Sequence, residues 1–230
     1  MQHYLNIRLV TRNRRYSRWM MFGGLGATIA AVVITFVQPT LLIIAFALML
    51  VGGIVSQIGT AIHNRFGRSP RLDEILDFSL KGLDDQHAVF HYYLGTNHAL
   101  FTPHGAYALV PMMEKGEIEY KSGVWTQRTP PRRISLRGSR PRNLKNIEKE
   151  AASEVQRLNR YLIKNLPQQS DIDIEPLVIF VAEDTQVRAE KAPFIAVHRK
   201  KLKGALRKSA GRTHFTSDDL QQLAKYLKLD

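Results

Sequence analysis

The chain has 230 residues, 33 Lys plus Arg against 20 Asp plus Glu, and no cysteine, for a formal charge of +13. The 44 residues from Trp19 to Ile62 contain no Asp, Glu, Lys or Arg, which excludes a single soluble domain; the lack of cysteine excludes thiol catalysis, Fe–S clusters and disulfides. Arg8, Arg12, Arg14, Arg15 and Arg18 precede the run and Arg65, Arg68 and Arg71 follow it, so Leu72 to Asp230 keeps 25 basic and 20 acidic residues, a net +5.

A helix rises about 1.5 Å per residue and the hydrocarbon core of a bilayer is about 30 Å thick, so the uncharged run is long enough for two crossings. Gln38-Pro39-Thr40 marks the break, because proline lacks a donor and disfavours helix in the residue before it. The expected organisation is a basic cytoplasmic segment over 1–18, membrane helices over about 19–37 and 40–62, and a cytoplasmic domain over 63–230. Both outer flanks are basic and the intervening loop is uncharged, so the positive-inside rule predicts an inner-membrane protein with both termini cytoplasmic. A signal peptide would have a shorter apolar region and no second span directly after it. Gly23, Gly24, Gly26, Ala27 and Ala31 in the first span, and Gly52, Gly53 and Ser56 in the second, allow close backbone approach, either within the hairpin or toward a membrane-protein partner. No Asp, Glu or Lys interrupts either span, which argues against a transporter or channel.

In the remainder, Ser69-Pro70 reads as a helix start, and Leu72, Ile75, Leu76, Leu80 and Leu83 recur at helical spacing, predicting a helix over 70–84. The period then changes. His87 to Leu94, Asn97 to Thr102 and Ala106 to Met112 read as strands, the last two joined by a Pro103-His104-Gly105 turn, and Lys115-Gly116 precedes a further strand at Glu117 to Tyr120. Three or four antiparallel strands in a row are expected. Lys121 to Lys145 is basic, acid-free and interrupted by Pro130, Pro131 and Pro141, which suggests a long exposed loop with at most one edge strand. Asn143 to Leu166 has apolar positions one turn apart, and Pro176 to Ala182 and Pro193 to Val197 are apolar runs suited to buried strands. Arg199 to Lys208 reads as a basic helix, and Thr216 with Asp219 as the start of a last one, stapled by Phe215 against Leu220. The fold class expected is α/β: a transmembrane hairpin followed by a mixed-sheet domain.

That order, over roughly 70–228, resembles the nuclease-related domain, a relative of the PD-(D/E)xK restriction-endonuclease-like enzymes. The most specific stretch runs from Asn97-His98 through Pro103-His104-Gly105 to Leu109; it is similar to that family's strand-turn-strand signature, in which Asp-His opens one strand and Glu-x-Lys ends the next. The resemblance implies a Mg²⁺ site built from carboxylates and a lysine, with Glu74 matching a first-helix glutamate. This sequence departs from it at the reactive positions, which hold Asn97, Val110 and Met112. A hard cation needs oxygen ligands, so the expectation is a degenerate domain without hydrolysis and without a cofactor. Sliding the register to use Glu114 and Glu117 moves those side chains beyond the strand end.

His87 and His91 lie about 13 Å apart in a strand, too far for one metal. His98 and His104 read as surface or turn residues, and no phosphate-cradling glycine loop is present. The basic clusters, Arg128, Arg132, Arg133, Arg137 and Arg140 around Trp125 and then Arg199, Lys200 and Lys201, fit three partners: nucleic acid, with Trp125 stacking on a base; anionic membrane lipid; or solvent alone. The functional expectation is a membrane-anchored binding or scaffolding domain. The alternatives are a tethered, Mg²⁺-dependent endonuclease using Glu74, or an accessory subunit held through the hairpin.

Overall fold

A computed structural model of the chain describes residues 1–128, 141–165 and 173–208. They form two compact units: Asn6–Leu72, and Met1–Leu5 together with the residues from Asp73 onward.

The first unit is a helical hairpin. Helix α1 (Ile7–Val37) is followed by a 3-10 turn at Pro39–Leu41 and by α2 (Leu42–Phe66). Both helices are long and apolar enough to cross a membrane. Helix α1 begins at Ile7 rather than near Trp19, because Asn6 caps it, its side chain accepting from the Leu9 N–H at 3.0 Å, and arginine is a good helix former. Buried residues recur every seven positions: Val10, Ser17, Gly24 and Ala31 on α1, and Ala45, Gly52, Gly59 and Phe66 on α2. Glycine is required where the two seams meet. A Cβ on Gly24 would stand 2.5 Å from the carbonyl oxygen of Gly52 and the nitrogen of Ser56, and one on Gly52 would stand 2.8 Å from the Gly24 carbonyl oxygen. The Ser56 hydroxyl donates to the Met21 carbonyl at 3.2 Å. A Cβ on Gly23, Gly26 or Gly53 would meet nothing within 4 Å, so the small residues divide into a packed set and an open set.

The second unit is α/β. Its elements are β1 (Gln2–Leu5), α3 (Leu72–Leu80), β2 (Ala88–His91), β3 (His98–Thr102), β4 (Gly105–Met112), β5 (Gly116–Lys121), β6 (Val124–Arg128), β7 (Arg142–Asn143), α4 (Ile147–Asn165), β8 (Ile174–Phe180), β9 (Thr185–Arg188), β10 (Ile195–His198) and α5 (Leu202–Lys208). One sheet has the order β1-β2-β3-β4-β8-β10 and the other β7-β6-β5-β9. Strands β2, β3 and β4 are antiparallel, whereas β1 runs parallel to β2 and β8 runs parallel to both β4 and β10. Helix α4 buries Ile147, Ala151, Glu154, Leu158 and Leu162; the sequence spacing put Val155 in that row, and the structure buries Glu154 there and leaves Val155 half-buried. Leu177 to Phe180 on β8 are fully buried, as expected of a strand with parallel neighbours on both sides.

Several expectations are corrected. Residues 2–5 belong to the domain as an edge strand rather than to a free basic segment. The first domain helix starts at Leu72, after a cis Ser69-Pro70 bond, and ends at Leu80 rather than 84. The antiparallel run is three strands long, within the three or four expected, since β5 leaves for the second sheet. Strand β6 is an inner strand of that sheet rather than an edge, with β5 and β7 on either side. The basic stretch after β10 is a 3-10 turn at Arg199–Lys201 followed by α5. The helix expected from Thr216 lies outside the described residues.

Candidate functional site: a filled sheet face and a histidine chain

Strand alternation decides which side chains can meet. Ala106, Ala108, Val110 and Met112 on β4 share the face that packs on α4. Val110 and Met112 are 1% and 6% exposed, in an apolar cluster with Ile118, Trp125, Ile147, Ala151, Val178 and Phe180. The β3–β4 register pairs Ala99 with Ala108, and carried two residues further it sets Asn97 opposite Val110. Asn97 donates from Nδ2 to Oε1 of Glu154 on α4 at 3.1 Å, and its backbone N–H donates to Oε2 at 3.1 Å. The same Oε2 accepts from the Thr96 hydroxyl at 2.5 Å, and Arg157 donates to Oε1 at 3.0 Å. Asn97, Val110 and Met112, the three positions where the resemblance implied reactive side chains, therefore do share a face. They present it with an amide bonded to Glu154 and two apolar side chains inside a core.

Glu74 does not complete that face. Glu74 is on α3, which meets the other side of the sheet: Asp77, one turn along α3, binds His91, whose β2 neighbour Phe90 lies in the α4-side cluster. Glu114 lies between β4 and β5, its carbonyl accepting from the Thr185 hydroxyl on β9 at 2.8 Å. Mg²⁺ takes hard oxygen ligands; on the α4 face Val110 and Met112 offer none, and both oxygens of the Glu154 carboxylate already accept hydrogen bonds from Thr96, Asn97 and Arg157. No group of three His, Asp or Glu residues able to hold a metal occurs among the described residues.

The basic clusters are redistributed as well. Trp125 is 2% exposed and stacks on Phe194, centroids 5.8 Å apart and planes at 13°, so it is a core residue and cannot stack on a base. Arg128 is exposed at the end of β6; Arg132, Arg133, Arg137 and Arg140 lie outside the described residues. Arg199 is engaged with Glu183 at 2.9 Å. Lys200 and Lys201 open, with Arg188 and Lys208, onto a cleft of about 1380 Å³ whose acidic wall residues are Glu175 and Glu190.

A polar cluster on the α3 side was not foreseen. His91 and His98 are a cross-strand pair with their Nδ1 atoms 2.7 Å apart. His91 Nε2 and His3 Nδ1 both lie 2.9 Å from Oδ1 of Asp77. With His91 Nε2 donating to Asp77, the neutral ring's Nδ1 is the acceptor for His98 Nδ1–H. His98 is 1% exposed, a buried strand residue rather than the surface or turn residue expected. Burial pushes the Asp77 carboxyl up, but the hydrogen bonds and charge of His91 and His3 outweigh it and hold Asp77 below the ordinary carboxylate value. The chain joins β1, β2 and β3 to α3.

No protein-family model, curated protein or solved structure matches the chain.

Proposed function

We propose that this chain is a membrane-anchored binding domain of nuclease-related type that does not hydrolyse phosphodiesters, carried by a two-helix hairpin in an inner membrane with both flanks on the cytoplasmic side. The observation that carries the reading is the burial of Val110 and Met112 in the α4-side cluster, where a hydrolytic site needs a carboxylate and a lysine. The element order α3, β2-β3-β4, α4, β8 supports the nuclease-related assignment. The topology draws on the basic flanks of the hairpin and on β1: the chain leaves the α/β unit at Leu5 and returns to it at Asp73, which suits flanks that share one side of a bilayer.

The test uses the full chain in detergent with supercoiled plasmid and Mg²⁺ or Mn²⁺. No cleavage above that of Glu74→Ala is expected, and metal-dependent nicking abolished by Glu74→Ala would overturn the proposal. Binding is assayed on the same preparation. DNA affinity that falls steeply with salt, and falls again in Arg132→Ala/Arg133→Ala/Arg137→Ala, would assign the ligand to nucleic acid; affinity indifferent to both would leave lipid or protein as the partner class. A second reading, an accessory subunit of a membrane complex, draws on Gly23, Gly26 and Gly53, where close approach by another helix meets no obstruction. Isolation as a lone species in mild detergent would count against it.

A further inference from the structure

Five arginines lie in the first turns of α1, and that end of the helix carries no acidic residue. The buried seam toward α2 is Val10, Ser17, Gly24 and Ala31. At 3.6 residues per turn, Thr11, Arg15, Arg18, Trp19 and Phe22 fall away from that seam and Arg14 borders it, and the six line one open surface cleft of about 650 Å³. All six are exposed, Trp19 and Phe22 by 73% and 62%. No ion pair is made by Arg14, Arg15 or Arg18 among the described residues. Arg18 is also the last charged residue before Arg65. The cleft thus has a cationic half and an aromatic half, divided where charge ends along the helix.

We propose that this cleft binds one anionic phospholipid, its phosphate held by Arg14, Arg15 and Arg18 and its acyl region laid against Trp19 and Phe22. Arg14 and Arg18 are about 6 Å apart along the axis, with Arg15 between them, so the three guanidiniums can close on one phosphodiester. Guanidinium is the cation suited to bidentate contact with phosphate oxygens. The aromatic half selects a lipid over a soluble phosphate, since Trp at this level places an apolar ring body against acyl chains and its N–H in the headgroup layer. Orienting the hairpin requires only positive charge, and Arg8 and Arg12 supply that as well as the cleft arginines do. A lipid site requires the cleft residues themselves. The inference rests on the reading of α1 as a membrane span.

The test reconstitutes the full chain in nanodiscs of phosphatidylcholine containing phosphatidylglycerol as a minor component, then releases it for native mass spectrometry. One phosphatidylglycerol per chain is expected to be retained over excess phosphatidylcholine. Retention should fall at least tenfold in Arg15→Gln/Arg18→Gln and persist in Arg8→Gln/Arg12→Gln, which removes the same charge. Equal loss in both variants would reduce the effect to general surface charge and overturn the site. Retention of phosphatidylcholine to the same degree, or displacement of the lipid by soluble glycerol 3-phosphate, would overturn it too. Alkaline carbonate extraction separates the two levels of failure: protein released from membranes refutes the span and the site together, whereas protein that stays inserted but retains no lipid refutes the site alone.

Discussion

At the scale of single residues, Asp77 is an acid whose environment holds it below its ordinary value. Its carboxyl is depressed, so the stabilisation it provides is fully present above its unfolded value of about 3.9 and is lost as pH falls through the folded value. Denaturant melts from pH 7 down to pH 2 should therefore show a loss of stability below about pH 4 in the parent chain that is smaller in Asp77→Asn. Asp84, also depressed, chiefly by its hydrogen bond from His87, contributes to both proteins and cancels in the difference. Parallel pH curves for the two proteins would show that His3 and His91 do not hold the carboxylate. Sequence spacing could not reveal this cluster, because His3, Asp77, His91 and His98 come from four elements, and only the β2–β3 register and the packing of α3 bring them together. Asn97, Val110 and Met112 are different: their side-chain chemistry was readable in the sequence, and so was their misfit to a metal. What stayed hidden was Glu154, whose bonds to Thr96 and Asn97 span a sequence separation of more than fifty residues.

Elements with a strong apolar period were legible. Helix α4 and strand β8 fall within a few residues of their expected bounds because their burial is one-sided or complete. Strands β1, β7 and β9 have two to four residues each, too few for a period to register, and β6 was obscured by the basic run around it. The hairpin gives the sharpest element-level prediction, since its glycines separate by contact. Gly24→Val should push α1 and α2 apart, because the added carbons meet backbone atoms of Gly52 and Ser56 that cannot move aside. Gly23→Val should leave the pair intact. Thermal melts in detergent, followed by crosslinking between the helices, should show a clear loss for the first and little change for the second. Equal effects would contradict the seam.

For the whole molecule, the decisive feature is the continuity of the chain: one edge strand, a hairpin of two apolar helices, then the remainder of the same domain. Strand β1, just before α1, pairs with β2 in the sheet built from residues after α2, and the proposal that both flanks share one side of a bilayer draws on that pairing. Charge bias suggested the same topology from the sequence, by an independent physical argument. The absence of cysteine makes a direct measurement simple, because a single introduced thiol is the only reactive one. Thr40→Cys in the turn, Arg12→Cys before the uncharged run and Lys191→Cys in the domain are each expressed and treated in intact cells and in inverted vesicles with a membrane-impermeant maleimide. The account predicts labelling of Thr40→Cys from outside only and of the other two from the cytoplasmic face only. Labelling of all three from one face, or of Arg12→Cys and Lys191→Cys from opposite faces, would contradict it.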